Sequence, residues 1–202
     1  MNNLNKFDTK DPIVFAASYI RYLGEVLDAI NLNEIQQFIN TLNVARKSGS
    51  TIFFIGNGGS AATASHFAND IAVGANRYEK PFRAISLTDN QAIITAIAND
   101  FGFEEIFSRQ LMVLGKPGDV VVAISASGNS INLINAFTHA KKIGIKTVSI
   151  TGFDGGKLKS MADEFIHIPT GYKEYGPAED AHMVLDHLVS SYLIYSAKDD
   201  QL

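Results

Sequence analysis

Five short apolar segments, each followed by small polar residues, restrict the fold of this chain more than any other feature. They occupy residues 51–55, 83–87, 120–124, 147–151 and 165–168, and helical stretches separate them. Near-continuous apolar strands that alternate with helices are typical of a parallel sheet covered on both faces. The sequence therefore predicts an α/β fold, a three-layer sandwich built on a parallel sheet.

The segments on either side of the predicted sheet have helical patterns. Apolar residues spaced mostly three and four apart form a stripe along the first helix: Ile13, Phe15, Tyr19, Ile20, Leu23, Val26, Leu27 and Ile30. Asn33 is predicted to cap a second helix, which carries Ile35, Phe38, Ile39, Leu42 and Val44. A last helix is predicted over 178–197. With no linker or repeat, we expect one domain over 1–202, made of N-terminal helices (1–48) and an α/β sandwich (51–202).

Composition excludes several classes of protein. The chain contains no cysteine, which rules out disulfides and thiolate metal ligands within it. The first ten residues are polar and lack a signal-peptide pattern, and no apolar run approaches the roughly 18 residues of a membrane span. The net charge of −4 disfavours a dedicated nucleic-acid binder. We therefore expect a cytoplasmic protein with neither a nucleic-acid nor a membrane partner.

The turn at residues 125–130, Ser-Ala-Ser-Gly-Asn-Ser, follows one predicted strand and precedes a predicted helix. Three hydroxyl groups and a glycine therefore lie where free N–H groups and the helix dipole favour a phosphate. An ordinary helix cap with a loop accounts for the same residue types. The strand–turn–helix context favours the phosphate hypothesis.

A second turn, Gly-Asn-Gly-Gly-Ser at residues 56–60, also joins a strand to a helix. It has neither the Walker A pattern nor the glycine spacing of a dinucleotide-binding loop. A tight turn that needs positive φ angles would explain some of its glycines. Two such turns in one sheet favour a polyhydroxylated, phosphorylated ligand. Asn99-Asp100 is predicted to be a third polar turn, which either bonds sugar hydroxyls or caps the next helix.

Two helices carry residues suited to chemistry. His66 and Asp70 are four residues apart, which places them on one helix face. Three interpretations fit this pair: a divalent metal site, a general base with an orienting partner, or an exposed polar pair. Glu179 and His187 on the last helix are eight residues apart, about 12 Å along a straight helix. The same helix carries Asp180, His182 and Asp186, whereas His139 and His167 are interpreted as structural.

Several of these segments together resemble the phosphoheptose isomerases, the sedoheptulose 7-phosphate isomerases of the sugar isomerase (SIS) domain superfamily. The resemblance covers nearly the whole chain. It is carried by residues 56–60, 66–68, 98–103, 125–130 and 151–157. It implies a five-stranded flavodoxin-like sheet and a homotetramer with active sites between subunits. It also implies an isomerase that converts sedoheptulose 7-phosphate to D-glycero-D-manno-heptose 7-phosphate, for lipopolysaccharide, capsule or other surface glycans.

The resemblance also assigns roles to individual residues of this chain. The phosphate would be bound by Ser125, Ser127 and Ser130, and Ala126 would also contact the substrate. The sugar would be held by Asn57, Gly58, Gly59, Asn99 and Asp100. One zinc ion per subunit would be bound by His66, Asp70, Glu179 and His187. Proton transfer through an enediol would fall to His187 with Asp70 or Glu179, while the metal polarises the carbonyl.

Two positions depart from the family pattern, since Asp70 stands where the family usually has glutamate and Glu179 stands where it usually has glutamine. Asp70 has a shorter side chain than glutamate, and Glu179 adds a carboxylate where glutamine has none. Two interpretations are open: the metal site is kept with a changed charge, or the chain has a different substrate or stereochemical outcome. Two alternatives therefore stay open beside the isomerase. One is an SIS isomerase of another phosphosugar, and the other is a non-catalytic SIS adaptor of the replication-initiator type.

Overall fold

A computed structural model describes residues 4–75 and 79–196 of the chain. Within these ranges, five parallel strands form one sheet in the order β2-β1-β3-β4-β5. The strands are β1 (Thr51–Gly56), β2 (Arg83–Ser86), β3 (Val120–Ser125), β4 (Lys146–Thr151) and β5 (Glu164–His167). The predicted parallel sheet and its flavodoxin-like strand order are therefore confirmed.

Helices cover both faces of the sheet. Those in the described ranges are α1 (Pro12–Asp28), α2 (Leu32–Ser48), α3 (Gly59–Asn69), α4 (Gln91–Phe101), α5 (Ser108–Leu114), α6 (Ile131–Lys142), α7 (Gly156–Met161) and α8 (Tyr175–Ser196). A π-helical turn, Asp70–Gly74, continues α3. None of these helices is long and apolar enough to cross a membrane.

Alternation along the strands divides the core into two layers, because successive side chains of a strand point to opposite faces. Phe54 and Val122 lie in the layer that also contains buried residues of α1, α2, α3 and α8. Phe53 and Val121 lie in the layer with buried residues of α5, α6 and α7. Both layers exclude water, which explains why β1 and β3 consist almost entirely of apolar residues.

The structure corrects several predicted boundaries. Asn31, and not Asn33, caps α2, because its extended backbone lets its side chain accept a hydrogen bond from the Asn33 N–H. Helix α8 begins at Tyr175, three residues before the predicted start, and the predicted end at residue 197 lies outside the described residues. Asn99-Asp100 is not a turn: both residues lie in the last turn of α4, which ends where Gly102 adopts a positive φ of 98°.

The apolar stripe of the first helix is less buried than its pattern suggests. Val26 is the one residue of α1 that the structure buries. Ile13 is 79% exposed and Ile20 is 71% exposed, and Val44 on α2 is 65% exposed. These side chains therefore form apolar surface on the monomer.

The segment before α8 is joined to the N-terminal part of the chain by the buried carboxylate of Glu174. Lys6 forms an ion pair with it at 2.5 Å, Tyr22 donates a hydrogen bond to it, and the Gly171 N–H donates another at 2.8 Å. Burial raises the pKa of Glu174, but the bonds from Lys6, Tyr22 and Gly171 outweigh it and lower the pKa below its ordinary value. The ionised form of Glu174 therefore stabilises the fold.

Replacing Glu174 with glutamine is expected to lower the free energy of unfolding by about 1.5–3 kcal/mol at pH 7, because hydrogen bonds to a charged group are lost. Since the folded pKa lies below the unfolded one, this contribution is complete above the unfolded pKa of 4.5 and disappears as the pH falls through the folded pKa. Urea unfolding at pH 7 and pH 3.5 measures it. The exposed Glu25→Gln is the matched control, and an equal Glu174→Gln deficit at both pH values would contradict the prediction.

Candidate active site

The candidate site lies at the carboxyl ends of β1 and β3. After β1 the chain crosses to β2 on one side, and after β3 it crosses to β4 on the other. In open parallel sheets such a switch point leaves a crevice between the two turns, where ligands bind. Helices α3 and α6 begin there, so that the two turns predicted to bind a sugar phosphate lie side by side.

A reciprocal pair of amide hydrogen bonds joins the two turns. The Asn57 amide donates to the Asn132 carbonyl oxygen at 3.0 Å, and the Asn132 amide donates to that of Asn57 at 2.9 Å. Asn132, which is buried in the first turn of α6, was not among the predicted residues. Asn57 therefore holds the turn after β1 against α6, in addition to the sugar contact predicted for it.

Serine hydroxyl groups line a cavity of about 180 Å³ between the two turns. Ser130 is the N-cap residue of α6, but its side chain makes no capping hydrogen bond. Its hydroxyl therefore stays available to a ligand at the positive end of the helix dipole. The cavity is lined by Asn57, Ser60, Ile124, Ser125, Ala126, Ser127, Ser130, Tyr175 and Glu179.

Glycines allow the turn after β4 to pack directly against the serine turn. Gly128 has a φ of +63°, and a Cβ atom built on it would lie 2.0 Å from the Gly155 carbonyl oxygen. A Cβ atom on Gly156 would lie 2.4 Å from the Ser127 carbonyl oxygen. The Leu158 N–H also donates to the Gly128 carbonyl at 3.0 Å. This backbone-to-backbone contact fixes the position of the serine turn.

Glu179 extends its carboxylate from the first turns of α8 into the same cavity. The carboxylate lies against the start of α3, since a Cβ atom on Gly59 would be 2.4 Å from Oε2 of Glu179. Burial raises the pKa of Glu179 above its ordinary value, and the nearby negative charge of Asp180 raises it further. A carboxyl group with a raised pKa in a ligand cavity suits proton transfer.

A second cluster of ionisable side chains lies where α3 and the following π-helical turn face α8. Each of His66, Asp70, Asp186 and His187 offers a ligand atom, and these four atoms all lie within 4.8 Å of one another. Nε2 of His66 is 3.1 Å from Nε2 of His187 and 3.5 Å from Oδ2 of Asp70. Bonds of about 2.0–2.1 Å to one tetrahedral ion separate its ligands by roughly 3.3 Å. The donor types and spacings therefore fit a divalent metal.

Asp186 is the most unusual member of this cluster. It is fully buried, and neither of its carboxylate oxygens has a hydrogen-bond partner among the residues that the structure describes. Burial raises the pKa of Asp186 to about 7, and the charge of Asp70 contributes to the rise. His182, one turn earlier on α8, is also buried without a partner in the described ranges, and burial lowers its pKa to about 4.

The predicted site residues are thus divided among three places: the cavity, the neighbouring cluster of ionisable side chains, and the exposed end of α4. Asn57, Ser125, Ala126, Ser127, Ser130 and Glu179 line the cavity, while Gly58 and Gly59 form its adjoining turn. His66, Asp70 and His187 lie in the cluster, which does not include the fourth predicted ligand, Glu179. Asn99 and Asp100 are exposed on α4 and do not line the cavity.

Asp186 belongs to the cluster but was not predicted as a ligand. The sequence signal that could have indicated it is its place beside His187 and four residues after His182. A helix turns about 100° per residue, so neighbours along the helix need not face the same partner. The packing of α8 against α3 places Asp186, like His187, beside His66 and Asp70.

Comparisons with known proteins identify close relatives of the chain. The family model described as SIS domain matches residues 16–152. A probable phosphoheptose isomerase of Thermoplasma acidophilum is 40% identical over 176 residues, which is 86% of this chain and 96% of that protein. A phosphoheptose isomerase of Syntrophotalea carbinolica is 35% identical over 179 residues, with 87% and 90% covered.

Solved structures give the same result. A phosphoheptose isomerase from Neisseria gonorrhoeae superposes with a TM-score of 0.78 at 32% identity, over 88% of this chain and 93% of that one. One from Francisella tularensis has a TM-score of 0.78 at 27% identity, over 97% and 100% of the two chains. The likeness therefore extends over the sheet, the helices and both turns described above.

Proposed function

The chain belongs to the SIS domain family and, within it, to the phosphoheptose isomerases, and we propose that it interconverts sedoheptulose 7-phosphate and D-glycero-D-manno-heptose 7-phosphate. One observation carries this choice of ligand. A cavity with serine hydroxyls and a helix N-terminus at one end is directly adjacent to an acid–base group, Glu179. A phosphate at the serine end orients the sugar chain towards the carboxylate.

Proton transfer is assigned to Glu179. Its carboxylate removes a proton from C1 of the ketose, beside the C2 carbonyl. The electron pair of the C–H bond forms the C1–C2 double bond while the C2 carbonyl electrons move to O2, which takes a proton from water to give an enediol. The same carboxyl group then returns its proton to C2, and the C1 hydroxyl gives its proton to water as it becomes the aldehyde. A single carboxylate performs both transfers if it reaches both carbons, and its raised pKa brings it closer to neutral pH.

The other two candidate catalytic residues, Asp70 and His187, act from the neighbouring cluster. We propose that they bind one divalent ion per subunit, zinc, together with His66. An ion bound there supplies a Lewis acid for the sugar carbonyl. The side chains of α3 and α8 thereby hold the reacting end of the sugar, while the serine turn holds the phosphate.

The reaction can be tested by NMR with the purified protein. Sedoheptulose 7-phosphate is expected to equilibrate with the aldoheptose phosphate, to stop doing so after chelation, and to resume after zinc is added. If the protein converts a different phosphosugar and does not convert sedoheptulose 7-phosphate, that sugar would become the proposed substrate. Absence of turnover and of any stabilisation by phosphosugars in thermal unfolding would contradict the proposal and favour a non-catalytic adaptor.

Replacing Ser130 with alanine is expected to raise KM for the sugar phosphate by about 10–150-fold, because a hydrogen bond to a charged group contributes about 1.5–3 kcal/mol. The value of kcat is expected to change by less than threefold, since the phosphate is remote from the reacting carbons. Steady-state kinetics measures both. The matched control is the exposed Ser48→Ala, which lies before the amino end of β1, at the opposite end of the strand from the cavity. A fall in kcat at unchanged KM would be inconsistent with a role in phosphate binding.

We further propose that the protein is a homotetramer. The supporting observation is apolar surface on the monomer: α4 buries none of its residues, although Ile93 and Phe101 lie on it. Val113 on α5 is 83% exposed. Asn99 and Asp100 would reach a sugar only from such an interface. Light scattering during gel filtration tests the tetramer, and a monomer at micromolar concentration would contradict it.

We place the reaction in the cytoplasm and its product in surface-polysaccharide synthesis, as in the sequence-based expectation. The relatives named as phosphoheptose isomerases support the assignment of the reaction to heptose supply. Deletion of the gene, followed by analysis of surface glycans for heptose, tests the pathway. Unchanged heptose content would contradict it.

A further inference from the structure

The buried carboxylate of Asp186 needs a partner that the protein does not supply. Its relative exposure is 0%, and both of its oxygens lack a hydrogen-bond partner in the described part of the chain. Burying an unpaired carboxylate is costly unless a cation or hydrogen-bond donors compensate it. Asp186 lies instead among potential metal ligands, with its oxygen within 4.8 Å of donor atoms of His66, Asp70 and His187.

Glu179, by contrast, lies against another part of the site. Its carboxylate contacts the start of α3 at Gly59 and lines the cavity with the serines of residues 125–130. The four-residue cluster of potential ligands does not include it. The cluster is built at the other end of α3 and in the π-helical turn after it, from residues 66 and 70, which face the third and fourth turns of α8. Glu179 and Asp186 are seven residues apart, about 10 Å along a helix.

We propose that Asp186 is the fourth ligand of the divalent ion bound by His66, Asp70 and His187, and that Glu179 is not a ligand. This inference deepens the proposed function, because the ion is the one assigned above to the isomerisation. Two imidazoles and two carboxylates form a donor set that suits zinc and neighbouring first-row divalent ions. The two carboxylates balance the charge of a divalent ion, and Glu179 stays free to exchange protons with the sugar.

Metal binding distinguishes the two candidate ligands without reference to activity. Metal-free protein is titrated with Zn²⁺ by calorimetry, and with Co²⁺ while its visible absorption is recorded. Asp186→Asn is expected to weaken Zn²⁺ binding by at least about 100-fold, since even the loss of residues that only support ligands costs 10–100-fold. Glu179→Ala, which removes every possible ligand atom from this side chain, is expected to change the affinity by less than about threefold and to leave the Co²⁺ spectrum unchanged.

Controls separate loss of a ligand from loss of the fold. The exposed Asp28→Asn is the matched acidic control, and thermal unfolding of each metal-free variant reports its stability. If Asp186→Asn fails to fold, Asp186→Leu provides an apolar substitute for the buried side chain. If neither folds, the Co²⁺ spectrum of Glu179→Ala decides whether Glu179 is a ligand: an unchanged spectrum supports the inference that it is not, and a changed one overturns it.

The inference fails if Glu179→Ala loses the metal while Asp186→Asn keeps it, or if the native protein binds neither Zn²⁺ nor Co²⁺. Failure of the proposed function gives a different result. In that case the wild type binds Zn²⁺ through Asp186 but does not turn over sedoheptulose 7-phosphate. Turnover by protein shown to be metal-free would overturn the metal's assigned role and leave the proton transfer by Glu179 in place.

Discussion

Glu179→Gln is expected to lower kcat for isomerisation by about 10²–10⁴-fold, the usual contribution of a general acid–base group. Glutamine has nearly the same size and keeps a hydrogen-bonding side chain in the cavity, but it cannot accept and return the proton. Because Glu179 lies in the cavity and outside the metal cluster, the loss is expected in kcat, with KM and bound metal little changed. Steady-state kinetics and metal analysis of the same preparations measure all three.

A double substitution provides a sharper test of the same idea. The resemblance described in the sequence analysis implies glutamate at position 70 and glutamine at position 179. By that pattern the longer carboxylate lies at position 70 in the family and at position 179 in this chain. If the catalytic carboxylate has moved from one position to the other, Asp70→Glu combined with Glu179→Gln is expected to recover at least tenfold of the activity that Glu179→Gln loses.

Asp70→Glu alone and the exposed Glu25→Gln are the controls for that pair. Full activity of Glu179→Gln would show that Glu179 does not transfer the proton. An inactive double variant that still folds and binds metal would show that the two positions are not interchangeable. If the double variant is inactive, Glu179 is still assigned to proton transfer provided that Glu179→Gln alone lowers kcat as expected.

The second large effect is structural. Gly128→Ala is expected to lower the free energy of unfolding by about 2–5 kcal/mol, since a left-handed alanine costs ~1–2 kcal/mol and overpacking adds ~1–3 kcal/mol. The new methyl group would collide with backbone, the Gly155 carbonyl oxygen at 2.0 Å, which cannot rotate away as a side chain would. The serine turn must move, so stabilisation by sugar phosphate is also expected to disappear.

Gly49→Ala is the matched control for this change. Gly49 has a similar φ of +71°, but a Cβ atom on it meets nothing within 4 Å. Its expected cost is therefore only the ~1–2 kcal/mol of the left-handed backbone. Urea unfolding of both variants, with thermal shift by sugar phosphate, separates the two effects. Equal destabilisation by the two substitutions would contradict the close approach of Gly128 and Gly155.

The fold was predictable because its signals are local. The apolar segments coincide with β1 to β5 within one or two residues. The signal is strongest in β1 and β3, which are buried almost throughout and are therefore nearly all apolar. The spacing of His66 and Asp70 likewise predicts their shared helix face. The pattern failed where local chemistry was ambiguous: Asn31 and Asn33 are both good capping residues, and Asn99-Asp100 resembles a turn although α4 continues through it.

The sequence by itself determined the two strand–turn–helix motifs at residues 56–60 and 125–130, because hydroxyls, glycines and flanking periodicity are properties of neighbouring residues. Only the tertiary structure decided how these turns and the last helix are used. The crossing of α8 over α3 places Glu179 at the serine turns and Asp186 at His66. Which side chains of two helices meet depends on the rotation and offset of each helix, and these are set by the packing of the whole core.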